Sequence, residues 1–285
     1  IKGWPAGAGN GLPPLTVVFL RLLVAAATLF LILKAMRIAI PADRQAWLAF
    51  FGMGLLNNAI PFSLIFWGQS QMPVSVAAGL ASILNATTPL FTVMVAHALT
   101  TDEKATPLKV AGVLLGLAGV AAMIGLDALS GASQALPGYL ACLAAALVYA
   151  FAGLFGRRFK RLGIAPLQAA FGQVAASSAI ILVVAIVVDR PWTLPTPGLV
   201  PILATVTMGV VSTAFAYILY FQLLASAGAT NLALVTFLIP VSGILLGNAV
   251  LGETLQFQHL IGMAFIAAGT AAIDGRLFRR RAVSG

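Results

Sequence analysis

Two sets of polar and aromatic residues recur along the sequence with the same spacing of four, three and four positions. At an offset of 155 residues the sets are Asn58, Phe62, Ile65 and Gln69, and Thr213, Tyr217, Tyr220 and Leu224. This spacing places each set on one side of a helix, with Asn57 and Ser212 beside them. Amide and hydroxyl groups mixed with aromatic rings suit an amphiphilic ligand with a bulky side chain. The alternative is that these residues only hydrogen-bond neighbouring helices.

Two other apolar segments carry a central proline. Polar residues precede each one: Asn85, Thr87 and Thr88 before Pro89, and Asn231 and Thr236 before Pro240. A proline inside a helix frees a backbone carbonyl and bends the helix. Because membrane carriers bind small zwitterions at such breaks, we expect both prolines and the polar residues beside them to act as binding elements or hinges. Pro61 is a further hinge candidate.

Apolar runs make up most of the chain. Hydrophobic residues are 61% of its 285 positions and charged residues only 8%, with a mean hydropathy of +1.04. A soluble globular domain carries about 25% charged residues, so the chain is not one. At about 20 residues per membrane span, the runs predict nine helices, at 13–36, 46–68, 74–98, 107–126, 137–157, 165–188, 198–221, 229–250 and 258–275.

The second half of the sequence repeats the first. Pro89 recurs as Pro240 at an offset of 151, and the segment from Pro14 to Arg21 recurs from Pro166 to Gln173 at an offset of 152. The acidic and glycine positions that recur at an offset of 150 are Glu103, Gly112, Gly119 and Gly125, with Glu253, Gly262, Gly269 and Gly275. We therefore expect one repeat at residues 1–130 and the second at 131–285.

The repeat also accounts for the odd number of helices. The span at 137–157 opens the second repeat, so its equivalent would lie before and across the start of this chain. We expect ten helices, five per repeat, with the first largely missing and its tail at residues 1–4.

The basic residues predict the orientation. If the loop at 1–12 is outside and the spans alternate, thirteen lysines and arginines lie inside and only Lys2 and Arg190 outside. This bias predicts a multi-pass membrane protein with a cytoplasmic C-terminus. Because five is odd, the two repeats insert in opposite directions. The predicted fold is an all-α membrane protein, an inverted-repeat bundle of ten transmembrane helices that can open alternately to either side.

The positions of the charged residues indicate whether transport is coupled to protons or sodium ions. All seven acidic residues fall at helix ends or in loops, whereas proton- and sodium-driven carriers commonly hold a carboxylate near the midplane. Facilitated diffusion therefore fits better than a proton relay. Arg21 is the one deep charge, and we expect a structural role for it, by snorkelling or by pairing with a helix C-terminus. The alternative is that it binds a substrate carboxylate.

Other classes of function find little support. No Ser-His-Asp set, aspartate pair, metal-spaced His/Cys cluster or P-loop can be assembled from the sequence. We expect no catalytic residue, metal or cofactor, and no nucleic-acid partner. Cys142 lies in an apolar run and is expected to pack. Gly112 and Gly116 are expected to pack inside one bundle, with dimerisation as the alternative, so we expect a monomer.

The chain resembles the drug/metabolite transporter superfamily, EamA branch. The residues that carry the resemblance are Pro14, Arg21, Pro89, Pro240, the Gly-Glu-Thr at 252–254, Gly262 and Gly269. The resemblance implies a ten-helix bundle that exports aromatic and some other neutral amino acids across the bacterial inner (plasma) membrane through a central cavity. That cavity would be lined by helices 1, 3, 4, 6, 8 and 9 and would include Tyr149 and Phe151. We expect the chain to depart from the family at its first motif, because most of the helix before Ile1 would be absent.

We therefore expect an exporter of neutral, preferably aromatic, amino acids that works by alternating access. The expected substrate-binding residues are Asn57, Asn58, Phe62, Gln69, Asn85, Thr88, Tyr149, Thr213, Tyr217, Tyr220 and Thr236. The rings would stack on the substrate side chain, and the amides, hydroxyls and freed carbonyls would meet its amino and carboxyl groups. The alternatives are a carrier of other small metabolites or amphiphilic drugs, and a lipid-handling membrane protein that transports nothing.

Overall fold

The fold is helical throughout the part of the chain that the structure describes. The computed structural model describes residues 12–73, 77–99, 105–124, 135–193, 197–220, 245–250 and 256–274, with the single positions 222, 242 and 252. Within these ranges the helices of 18 or more residues are α1 (Pro14–Ala35), α2 (Arg44–Ser70), α3 (Ala77–Leu99), α4 (Pro107–Ile124), α5 (Leu136–Arg161), α6 (Pro166–Val188), α7 (Leu199–Tyr220) and α8 (Phe257–Asp274).

The helix ends follow from local sequence. Proline opens α1, α4 and α6, where its missing N–H removes no helical hydrogen bond. The Asp43 carboxylate accepts from the Ala46 N–H at 2.7 Å and caps α2. Eight of the nine predicted spans correspond to these helices. The ninth, at 229–250, lies mostly outside the described residues.

Six of the described helices are long and apolar enough to cross a membrane. The helices α4 and α8 are shorter apolar helices. The predicted all-helical membrane class is therefore confirmed for the described ranges, whereas the full count of ten helices remains a prediction.

The chain divides into two compact units, and the first consists of Ile1–Phe66 and Phe155–Ala229. In it α1 packs against both α6 and α7, and α2 packs against α6. Near one end of α1 the Thr16 N–H and hydroxyl donate to the Asp189 carboxylate at 2.7 and 2.8 Å. Beyond its other end the Gln168 amide donates to the Ala39 carbonyl at 2.7 Å. The helices α1 and α6 are therefore antiparallel, and the inverted repeat itself remains a prediction.

The second unit consists of Trp67–Leu154 and Thr230–Gly285. Its most closely packed pair is α4 with α8. A Cβ atom added at Gly112 would lie 2.6 Å from the Gly269 carbonyl oxygen, and one at Gly119 would lie 2.7 Å from that of Gly262. The glycines that recur between the two halves therefore pack against each other within the chain, as predicted.

Candidate functional site

Two π-helical turns interrupt the regular helices of the first unit. One is Leu55–Ala59 in α2 and the other is Val210–Phe215 in α7. Their first residues are 155 positions apart, which is the offset that relates the two polar and aromatic sets. π-helical turns are rare and occur frequently at functional sites. These two contain Asn57 and Asn58, and Ser212 and Thr213.

A glycine precedes each π-helical turn at equivalent positions. A Cβ atom at Gly54 would lie 2.7 Å from the Gln173 carbonyl oxygen, and one at Gly209 would lie 2.9 Å from that of Arg21. Arg21 and Gln173 are themselves equivalent, at an offset of 152. The backbones of α2 and α6 therefore approach each other in the same way as those of α7 and α1.

The first polar group at these turns is the Arg21 cluster, made of Arg21, Phe62, Ser212 and Thr213. The Arg21 Nε donates to the Thr213 hydroxyl at 2.6 Å, and its Nη2 donates to the Ser212 carbonyl at 3.4 Å. The guanidinium carbon lies 4.3 Å from the centre of the Phe62 ring, a cation–π contact. The carbonyl that Arg21 contacts lies in the middle of α7. The expected structural role, by snorkelling or by pairing with a helix C-terminus, remains a prediction.

The second polar group is the Gln173 cluster, made of Asn57, Asn58, Gln173, Ser177 and Tyr217. The Asn57 amide donates to the Gln173 side-chain carbonyl and to the Tyr217 phenol, both at 3.2 Å. The Tyr217 phenol donates in turn to the Asn58 side-chain carbonyl. The Asn58 amide donates to the Ser177 hydroxyl at 3.2 Å, and that hydroxyl donates to the Gln173 backbone carbonyl at 2.6 Å.

The two clusters are built from equivalent positions. Arg21 corresponds to Gln173, Thr213 to Asn58, and Phe62 to Tyr217. On α2, one helical turn leads from Asn58 to Phe62, and therefore from the Gln173 cluster to the Arg21 cluster. On α7, the turn from Thr213 to Tyr217 leads from the Arg21 cluster to the Gln173 cluster. Along the chain, α2 and α7 therefore reach the two clusters in opposite order.

The clusters differ in charge and in burial. The Arg21 cluster carries a cation and its guanidinium is partly accessible, whereas the Gln173 cluster is neutral. Asn58 and Gln173 are both 0% exposed, but Asn57 and Tyr217 are partly exposed. The Gln173 side-chain NH₂ has no hydrogen-bond partner among the described residues. An unpaired buried donor is unfavourable by about 1–3 kcal/mol, so this amide can still bind a water or ligand oxygen.

Six of the expected substrate-binding residues come together in this unit: Asn57, Asn58, Phe62, Thr213, Tyr217 and Tyr220. Tyr220 joins them through an edge-to-face ring contact with Tyr217, at 6.3 Å between centroids. Four others, Gln69, Asn85, Thr88 and Tyr149, belong to the second unit. Thr236 and the expected hinge Pro240 lie outside the described residues.

The break expected at Pro89 is present in α3, where a turn at residues 86–87 separates two helical segments. Pro89 has no N–H for the carbonyl of Asn85 four residues earlier. The Thr88 hydroxyl donates to that carbonyl at 2.7 Å, so the freed acceptor already has a partner. The Asn85 side-chain carbonyl is buried and has no partner in the described ranges.

Pro61 is buried in α2 directly after the π-helical turn. Its missing N–H frees the Asn57 backbone carbonyl and is compatible with the π geometry. At the equivalent position α7 has Ala216 and yet contains the same kind of turn. Proline alone therefore does not cause the π-helical turns, and its role as a hinge remains a prediction.

Four members of the site were not predicted from the sequence: Gln173, Ser177, Gly54 and Gly209. Gln173 was visible only as the counterpart of Arg21, and the two glycines share the 155-residue offset of the polar sets. Aligning the whole of the two segments, rather than their polar residues alone, would have found the glycine pair.

Membrane-length helices that enclose buried polar clusters at equivalent positions define the class of the protein as a multi-pass membrane transporter. The chain belongs to the EamA-like transporter family, whose profile matches residues 6–125 and 136–273. The resemblance to the EamA branch is thereby confirmed, and the family indicates a transporter rather than an enzyme.

Relatives of the chain carry corresponding names. The "Uncharacterized transporter YoaV" of Bacillus subtilis (strain 168) is 26% identical, over 91% of this chain and 87% of that protein. The "Probable amino-acid metabolite efflux pump" of Escherichia coli (strain K12) is 27% identical, over 91% and 85%. The "Uncharacterized inner membrane transporter YedA" of the same strain is also 27% identical, over 89% and 79%. A solved structure described as "Crystal structure of protein" has a TM-score of 0.65 at 23% identity, covers 96% of this chain and 91% of its own, and shares the fold.

Proposed function

We propose that the protein exports neutral, preferably aromatic, amino acids across a bacterial inner membrane by alternating access. The observation that carries the proposal is the grouping of Asn57, Tyr217 and Tyr220, partly accessible amide, phenol and ring groups, at a π-helical turn that recurs in both halves. Such a surface offers hydrogen bonds and ring stacking to one compact amphiphilic molecule.

Each residue type has a definite part in this proposal. The rings of Tyr217 and Tyr220 stack on the substrate side chain, and the Asn57 amide hydrogen-bonds an uncharged polar atom of the substrate. Phe62 is 9% exposed and lies against the Arg21 guanidinium, so it borders the site. Asn58 is wholly buried and bonded to Ser177 and Tyr217. It therefore acts by holding Tyr217 in place rather than by touching the substrate.

The equivalent clusters also support alternating access. They join α1 to α7 and α2 to α6, which are equivalent helix pairs from the two halves. If the two halves exchanged conformations, the closely packed pair would change from one of these helix pairs to the other. An inverted repeat can open to either side of the membrane in this way. The name of the Escherichia coli efflux pump is consistent with amino-acid cargo, and the basic residues favour a cytoplasmic C-terminus.

Counterflow in proteoliposomes tests the proposal. Liposomes that contain the purified protein and unlabelled phenylalanine are diluted into labelled phenylalanine, with protein-free liposomes as the blank. We expect saturable accumulation that excess tryptophan competes away, with little effect of a pH gradient. The Asn57→Ala variant should raise KM several-fold, and the matched control Gly153→Ala should behave as wild type, since a Cβ atom there meets nothing within 4 Å. The absence of saturable flux for any neutral amino acid would reject the proposal.

A further inference from the structure

The close approach of the helices at Arg21 does not require its charge. At the equivalent position of the other half, neutral Gln173 supports the same close approach of glycine to backbone. It also bonds to a π-helical turn, as the acceptor of the Asn57 amide, where Arg21 is the donor to Thr213. If Arg21 served only to join α1 to α7, an amide would be sufficient, as it is between α2 and α6. Charges at membrane depth are expensive and mark functional positions, so the difference between these two residues requires a separate explanation.

We propose that Arg21 binds the carboxylate of the substrate and makes the carrier selective for substrates with a free carboxylate. This inference rests on the proposed function and specifies its substrate class. The Arg21 cluster is the end of the site that takes the anionic group. The neutral Gln173 cluster, one helical turn away on α2 and α7, takes groups without negative charge.

The geometry of Arg21 suits this role. The bond from its Nε to Thr213 and the contact from its Nη2 to Ser212 fix one edge of the guanidinium, and the Phe62 ring fixes one face. Thr213 is 1% and Phe62 9% exposed, so the groups that hold the cation are themselves fixed by packing. A pre-oriented guanidinium binds carboxylates through a fork of N–H donors and loses little entropy on binding.

Proximity to the other expected binding groups supports the same role. Phe62 and Thr213, which hold Arg21, each lie one helical turn from a member of the Gln173 cluster, Asn58 and Tyr217 respectively. One turn of helix is about 5.4 Å, which is comparable to the distance between the carboxylate and the ring of an aromatic amino acid. A single substrate could therefore contact Arg21 with its carboxylate and Tyr217 with its ring.

Competition in the counterflow assay tests the inference. Unlabelled phenylalanine and phenylalaninamide, which differ in the negative charge of the carboxylate, are compared as competitors of labelled phenylalanine. In the wild type we expect phenylalanine to compete roughly tenfold better or more, given the strength of a charge-assisted hydrogen bond. Arg21→Gln, which gives α1 the residue type found in α6, should bring this ratio close to one. Arg21→Lys should retain most of it.

The control is Lys34→Gln, which removes an exposed positive charge from the same helix and should leave the ratio unchanged. Equal competition by the two compounds in the wild type, or an unaltered ratio in Arg21→Gln, would overturn the inference and leave the proposed function standing. If phenylalanine is not transported, a binding measurement can still test the inference. Phenylpropionate, which has a carboxylate but no amine, should raise the melting temperature of the wild type and not of Arg21→Gln. Absence of that shift in the wild type would also overturn the inference.

Discussion

The phenol of Tyr217 donates a hydrogen bond to the side-chain carbonyl of Asn58, a residue 159 positions earlier in the chain. Each belongs to one of the two polar and aromatic sets that recur at an offset of 155. The bond therefore connects the two halves of the sequence directly, through the π-helical turn of α2 and the helical segment that follows the π-helical turn of α7. Because Asn58 is wholly buried, the phenol satisfies an acceptor that water cannot reach.

Tyr217→Phe should destabilise the protein more than it impairs transport. The change leaves the Asn58 carbonyl unpaired and removes an acceptor of the Asn57 amide, with a loss of about 1–3 kcal/mol of folding free energy. The ring remains and can still stack on a substrate. We expect a lower melting temperature in detergent, with a maximal counterflow rate within a few-fold of wild type. A double-mutant cycle with Asn58→Ala should give a coupling energy of about 0.5–3 kcal/mol, and additive effects would contradict the bond.

Gly54→Ala and Gly209→Ala should destabilise the first unit to a similar extent. Each added methyl group would meet a backbone carbonyl, of Gln173 or of Arg21, within 3 Å, and neither backbone can move without shifting a helix. We expect losses of about 1–3 kcal/mol from such overpacking, measured as reduced thermal stability. Gly153→Ala is the control and should stabilise α5 by about 0.5–1 kcal/mol. If all three variants behaved alike, the close approach of these helices would not be supported.

Much of the fold follows from hydropathy, because membrane spans need long apolar helices whose backbone groups bond internally. Eight helices predicted from this requirement lie close to their positions in the structure. The π-helical turns could not be predicted in this way, because hydropathy reports apolar content and not the hydrogen-bond pattern within a helix. Gln173 shows the same limit. Glutamine is a common residue in helices, so the sequence gives no reason to select this one. Gln173 matters as the neutral counterpart of Arg21, and the site to which it belongs forms only when the chain folds.

The part of the candidate site that could be predicted consists of residues that share one face of a helix. The spacing that grouped Asn58 with Phe62, and Thr213 with Tyr217, reflects the period of the helix, and those residues do lie together in the structure. The contacts of Arg21 on α7 were not predicted, because periodicity does not show which neighbouring helix a long side chain such as that of Arg21 reaches. It contacts Ser212 and Thr213, in the middle of α7.

Gly119→Val should disrupt the packing of α4 on α8 without changing the oligomeric state. A side chain at Gly119 would meet the Gly262 carbonyl and the Phe265 Cβ atom, both 2.7 Å from the added Cβ atom. Since this glycine face is occupied within the chain, we expect a loss of at least about 1–3 kcal/mol of stability. Light scattering after size-exclusion chromatography should give the same protein mass as for wild type. Leu114→Ala, on an exposed part of the same helix, is the control. A wild-type dimer that Gly119→Val converts to monomer would instead assign this face to association between chains.

Cysteine labelling at the two ends of α6 should establish the orientation of the chain. The one native cysteine, Cys142, is 0% exposed and can be replaced by alanine to give a cysteine-free background. On this background Lys160→Cys and Trp192→Cys place exposed thiols before and after α6. Its 23 residues span about 34 Å, enough to cross the hydrocarbon core.

The excess of arginine and lysine before α6 predicts which side each thiol occupies. A membrane-impermeant maleimide applied to intact spheroplasts should label Trp192→Cys and leave Lys160→Cys unmodified until the membrane is permeabilised. Both thiols should react equally in detergent, which controls for local accessibility. Labelling of the two positions from the same side would mean that α6 does not span the membrane. The reverse pattern would place the C-terminus outside and would contradict the orientation inferred from the charges.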